Sequence, residues 1–231
     1  MQSVPTGWAE ARRGLYTMET RVSIAGVDHS ESELCSVSTR GGLFSGSTAC
    51  IGSCVAREID LTVMPQGDIP RMAEIIVWVR PVADGIETDW LKKGVFYIDT
   101  RYQDKVTGLL TIHGYDAMLK AEETYLQEGN TGEWPLPGRP EREVVEEIAA
   151  RMGVELDSRT VLTDAPIPCP NDYTMREILG YIAVSRCGNW IITDAGELRL
   201  VSLNSAPDET NYLSTHDGFV LTMGGHRLLT K

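Results

Sequence analysis

The sequence predicts an α+β protein that is mainly β: an antiparallel β-barrel of the kind that builds tubes, with a small α/β segment inserted. Two observations carry this reading. Short stretches of alternating polar and apolar residues, divided by turn signals, fill the first half of the chain. Two stretches with helical spacing and clear start and stop signals follow them, and a hairpin pattern comes after. The domains expected are an N-terminal β-barrel-like domain at 1–116, a helical and loop insertion at 117–188, and a β-hairpin with a C-terminal strand segment at 189–231.

Residues 1–13 are polar, with Pro5, Gly7 and the Arg12-Arg13 pair, and suit an arm or a frayed end. Residues 15–27 alternate as a half-buried strand that turns at 26–30, and 34–39 is the returning strand. Residues 41–53 are rich in Gly and Ser and suit a loop over the β layer. Residues 54–64 alternate again until Pro65, which cannot donate to a ladder. The run 75–79 is the most apolar and belongs inside a sheet. After the Asp84-Gly85 turn signal, strands are expected at 94–101 and 109–113, joined in sequence to those before them.

At Gly114 the pattern breaks, and Asp116 is placed to cap a helix running from Ala117 to Glu122. Pro140 suits the first position of the next helix, with Glu141 and Glu143 in its positive first turn and Gly153 at its end. Val144, Val145, Ile148, Ala149 and Met152 form its apolar stripe. Thr174 and Glu177 form a capping box, Tyr173 and Ile178 a hydrophobic staple, and Gly188 stops that helix. Strands at 190–193 and 197–203 make a hairpin around Ala195-Gly196. Residues 204–231 hold short apolar pieces that fit a strand partnered elsewhere.

With 231 residues the chain can form one large domain or two small ones. Its net charge of −12 argues against a basic, nucleic-acid-gripping surface. No apolar run reaches the roughly 20 residues that span a bilayer, and the N-terminus has no secretory apolar core, so no membrane anchor is expected. Five scattered cysteines are no disulfide framework and are read as buried, reduced thiols. Cys50 and Cys54 lack the further ligands a metal would need, so no metal site is expected.

No catalytic pattern survives inspection: no phosphate loop, no GxGxxG, no HExxH, no GxSxG elbow. The glycine-flanked Ser45 reads as a flexible loop, and His113 as a satisfied histidine at a strand end. Asp99, Asp104 and Asp116 lie on consecutive segments, but nothing selects them as a catalytic pair. Trp78 and Trp190 read as core residues. Trp8, Trp90 and Trp134 stand in polar or loop surroundings and are candidates for an interface.

Three stretches, 90–101 (WLKKGVFYIDTR), 108–121 (GLLTIHGYDAMLKA) and 178–203 (ILGYIAVSRCGNWIITDAGELRLVSL), resemble the tail-hub proteins (baseplate or tail-tip hubs) of tailed bacteriophages and prophages. The segment 46–63 looks like the strand region that precedes them in that family. The resemblance implies a structural, non-enzymatic protein without cofactor, made in the bacterial host cytoplasm and carried in the virion tail. It further implies a homotrimeric ring that joins the tail tube or distal tail protein to a tip or spike protein. DNA would pass the lumen unbound, and an acidic protein suits that passage. Family members usually carry a second barrel, so a compact hub and the first part of a longer one both fit. The alternatives are a cell-wall-directed hydrolase, or a carbohydrate-binding module using Trp8, Trp90 or Trp134.

Overall fold

The structure, a computed structural model, describes residues 5–44, 46, 48–86, 88–126 and 134–203, together with two short strands at 222–223 and 226–227. In chain order the elements begin with α1 (Trp8–Ala11), β1 (Thr17–Ile24), β2 (Val27–His29), β3 (Leu34–Arg40), β4 (Cys54–Val55), β5 (Glu58–Val63), β6 (Glu74–Val82), β7 (Leu91–Gln103) and β8 (Leu110–Tyr115). A 3-10 helix (Ala117–Glu122), β9 (Arg139–Pro140), α2 (Glu141–Met152), β10 (Pro166–Ile167), α3 (Met175–Ser185), β11 (Gly188–Ile192) and β12 (Leu198–Ser202) follow. The two short strands beyond them are β13 (Thr222–Met223) and β14 (His226–Arg227), an antiparallel pair. The protein is mainly β, as the alternation predicts. The rest of 204–231, and Ser45, lie outside the described residues.

The first lobe is a seven-stranded antiparallel sheet in the order β2-β1-β6-β7-β8-β5-β3. Alternate residues of each strand enter one core: Ile59, Leu61 and Val63 of β5, Ile75 and Val77 of β6, Phe96 and Ile98 of β7, Leu110 and Ile112 of β8. Ile69 and Ala73, between β5 and β6, pack into the same core. The apolar run of β6 sits inside the sheet, between β1 and β7.

Three expectations change. Among the described residues the sheet is an open half-barrel, because β2 and β3 are edges with no strand joining them. Pairing follows the sequence at β1–β2, β6–β7 and β7–β8 but not elsewhere: β3 does not return on β1 but pairs with β5, while β1 pairs with β6. Gly114 is no break but an inner residue of β8, where an added Cβ would lie 2.4 Å from the Tyr97 carbonyl oxygen. Only glycine allows that approach.

The second lobe packs α2, α3 and the 3-10 helix onto a three-stranded sheet ordered β12-β11-β4. The expected strand at 54–64 is split here. Its first two residues run parallel to β11, with Cys54 opposite Trp190, and only the remainder joins the first lobe. The core of this lobe takes in both helices and the hairpin β11–β12, so the boundary expected at 188/189 runs through one packed unit.

Local codes in this lobe are mostly those the sequence announces. Gly153 closes α2 with a left-handed backbone (φ 70°). Thr174 and Glu177 complete the capping box of α3. Four details differ. The helix after Asp116 is 3-10, Pro140 stands one position before α2, Gly188 already belongs to β11, and Tyr173 is exposed, its ring centroid 5.3 Å from that of Tyr181.

Candidate interaction surface

The two lobes meet where the chain crosses between them, at Arg57 and Asp116. Arg57 follows β4, and Asp116 follows β8. The Asp116 amide donates to the Arg57 carbonyl at 3.0 Å, and the Arg57 amide donates to Asp116 Oδ2 at 2.9 Å. Asp116 Oδ1 accepts from the Met118 amide at 3.0 Å, so one carboxylate both caps the 3-10 helix and ties down the crossing chain. The Arg57 guanidinium reaches on to Asp194 Oδ1 (2.6 Å) and the Lys93 carbonyl (2.7 Å), linking the hairpin to β7.

Asp116 is 1% exposed, and burial pushes its carboxyl up to about 6 from 3.8, against the two backbone donors that favour the ionised form. A raised folded-state value means that the folded protein binds this proton more tightly than the unfolded chain. The carboxyl's contribution to stability is therefore greatest at acid pH and is lost as pH rises from about 4 to about 6. Asp116→Asn removes this titration and sets an amide N–H against one of the two backbone donors. In urea unfolding, the advantage of the native protein over the variant should shrink by about 2 kcal/mol between pH 4.5 and 7.5. An advantage unchanged with pH would contradict the assignment.

A cleft of about 660 Å³ opens beside this junction, lined by Arg40, Glu58, Tyr115, Glu122 and Arg176 among others. Its charges satisfy one another: Arg40 pairs with Asp60 and Glu58, and Arg176 with Glu122. His113 Nδ1 lies 2.8 Å from Asp60 Oδ1, and its ring meets Tyr115 edge-on. The His113 bond, with Arg40 beside it, holds the Asp60 carboxyl below the usual carboxylate range. His113 is thus a satisfied histidine at a strand end.

The three acids do not converge. Asp104 is turned onto Val106 and Thr107 of its own loop, Asp116 is buried at the junction, and Asp99 is exposed. Among the described residues no group of His, Cys, Asp and Glu has the spacing to hold a metal. The cysteine expectation is corrected. Cys54 is buried, its thiol pushed up to about 12 by desolvation, while Cys35, Cys50, Cys169 and Cys187 are exposed and free. Cys35 takes an outward position on β3, whose Leu34 and Val37 pack against the core, and the other three lie in connecting loops.

The tryptophans are redistributed. Trp8 is not in polar surroundings but 6% exposed, its indole N–H donating to the Asp89 carbonyl at 2.8 Å. Trp134 is half-buried, bonded to the Ile167 carbonyl at 3.0 Å and edge-on to Tyr125. Trp78 is not core: it stands half-buried on the outer face of the large sheet, because Val77 and not Trp78 takes the inward position on β6. Trp90, also half-buried, lies close by. The Arg21 guanidinium sits over both rings, 4.6 Å from the Trp78 centroid and 4.9 Å from that of Trp90. Arg80 lies 4.5 Å over Trp90 and pairs with Glu19 at 2.7 Å. Sequence reasoning missed Arg21 and Arg80. The only signal for them is register, Arg21 opposite Trp78 and Glu19 opposite Arg80, which depends on the non-sequential β1–β6 pairing.

The described residues thus form a β-rich fold, an open antiparallel half-barrel backed by a helical lobe with aromatic and arginine residues on its outer face, and solved proteins share it. In particular, the structure is similar to the 43 kDa tail protein of prophage MuSo2 from Shewanella oneidensis, with a TM-score of 0.56 and 12% identity over 86% of this chain and 61% of that one. It is similar to the tail protein from Neisseria meningitidis MC58 as well, with a TM-score of 0.55 and 16% identity over 87% of this chain and 57% of that one. The likeness is one of fold, and the chain spans about three fifths of each protein's length. No protein-family model matches the sequence, and no curated protein matches it. No helix among the described residues is long and apolar enough to cross a membrane.

Proposed function

We propose that this chain is a structural component of a phage or prophage tail, a hub whose copies form a trimeric ring between the tail tube and the tip device. The observation that carries the reading is the shared fold with two phage tail proteins over nearly the whole chain. The open sheet supports it physically. β3 is a seven-residue edge with five of its residues exposed, and such edges are ready to pair with another chain. In this reading the distal tail or tube protein and a tip or spike protein are the partners, DNA passes without being held, and the protein resides in the virion tail. The catalytic classes gain nothing from the geometry, since the charges of the junction cleft are mutually paired.

Native mass spectrometry over a hundredfold concentration range tests this reading. A trimer is the expected species, increasing with concentration. A stable dimer would sink the ring, because a two-fold assembly does not fit a three-fold axis.

A further inference from the structure

The outer face around Arg21 is built differently from every other charged patch described above. The other arginines of the junction and of the cleft have carboxylate partners, whereas Arg21 has none among the described residues. Its Nε is buried with no hydrogen-bond acceptor, and what it touches are the rings of Trp78 and Trp90. Two indoles restrict a flexible side chain before any ligand arrives, and a planar guanidinium so held keeps a fork of donors for a planar acceptor. Arg80 beside it is already neutralised by Glu19, which leaves Arg21, among the described residues, as the positive charge of this face without a carboxylate.

The neighbouring backbone is also unfinished. β2 covers β1 only at Val22, Ser23 and Ile24, so, among the described residues, 17–21 form a sheet edge with no strand on their outer side. Tyr16 and Met18, along this edge, are exposed. Tryptophan, tyrosine and arginine are the residue types that dominate binding energy at protein interfaces, and an open edge supplies main-chain bonds for an extended segment.

We propose that an extended acidic segment of a protein partner adds to the edge at residues 17–21 as a strand and places a carboxylate on Arg21. The partner's source rests on the tail reading above, as another component of the assembly. One uncompensated charge matches one carboxylate. A polyphosphate would meet the field of a protein carrying a net charge of −12.

The test uses the whole chain and a panel of capped seven-residue peptides of alternating threonine and valine, with one glutamate placed at each position in turn. Each has a glutamine counterpart. Binding is read by tryptophan fluorescence, since Trp78 and Trp90 line the site, and by calorimetry. At one or two positions the glutamate peptide should bind about tenfold more tightly than its glutamine twin. That preference should weaken with salt and fall below about twofold in Arg21→Met. Equal binding of the pairs throughout, no binding at millimolar peptide, or a preference surviving in Arg21→Met overturns the proposal. Tighter binding of a ten-nucleotide oligothymidylate overturns it in favour of a nucleic-acid contact. The glutamate–glutamine comparison on the native chain stands even if the variant unfolds. A stable dimer in mass spectrometry overturns the ring and leaves this site in place, while a trimer indifferent to glutamate does the reverse.

Discussion

Replacing Arg186 by methionine is expected to lower the stability of this protein by about 3–5 kcal/mol, a large share of what a domain of this size has. The reason lies in Glu141. It opens α2 yet is 1% exposed, and Arg186, just past α3, donates to its Oε2 at 2.7 Å. Without the guanidinium the carboxylate keeps only the Thr163 amide at 3.1 Å and a long hydroxyl contact at 3.4 Å. A buried charge then stands unpaired, which costs more than the intact pair contributes. Adding Glu141→Gln to the variant should recover about 1–2 kcal/mol, because the neutral amide needs less solvation. Urea midpoints of the two singles and the double decide the matter. A single Arg186→Met variant within about 0.5 kcal/mol of native, the range of an exposed pair, would show that the contact is idle.

Trp190→Ala is expected to be as damaging, at about 4–5 kcal/mol. Trp190 is fully buried in the helical lobe, and its indole N–H donates to the Leu179 carbonyl at 2.8 Å. Removing it empties a large cavity and takes from that helix carbonyl the second donor it accepts, two separate costs. Trp190→Phe should cost roughly half as much, as the ring is partly replaced while the bond is lost. Trp90→Ala on the outer face should cost under about 2 kcal/mol, since that residue is already partly exposed. Denaturant unfolding followed by circular dichroism ranks the three, and near-equal losses at positions 190 and 90 would refute the division between core and surface.

That division shows how far the sequence could be read. The capping box of α3, the apolar stripe of α2 and the alternation of β5 are codes carried within a dozen residues, and each is realised. Trp78 was misplaced because its strand is apolar on both faces, so alternation alone does not say which face meets the core. Trp8 was misplaced because a tryptophan among polar residues is buried by a contact 81 positions away. Glu141 reads as a first-turn acid serving the helix dipole, while its actual partner is 45 residues distant. The outer arginine–tryptophan face depends wholly on the β1–β6 register, a non-local fact. The open sheet is likewise invisible locally, since each strand alternates alike whether or not the ends meet.

The short strand β4 has a consequence for how the protein is made. It completes the sheet of the second lobe, but the ribosome delivers it early: Ser53, whose amide binds the Asn189 side chain, precedes it by 136 residues. At about 5–20 residues per second, β4 waits roughly 7–30 seconds for its partner to emerge. All seven strands of the large sheet are synthesised before the 3-10 helix, α2 and α3. A nascent chain stopped near residue 120 can therefore hold a finished half-barrel, with a strand of the other lobe hanging from it unpaired. The lobe made last is closed by a piece made early, so translation itself delays the joining of the two halves.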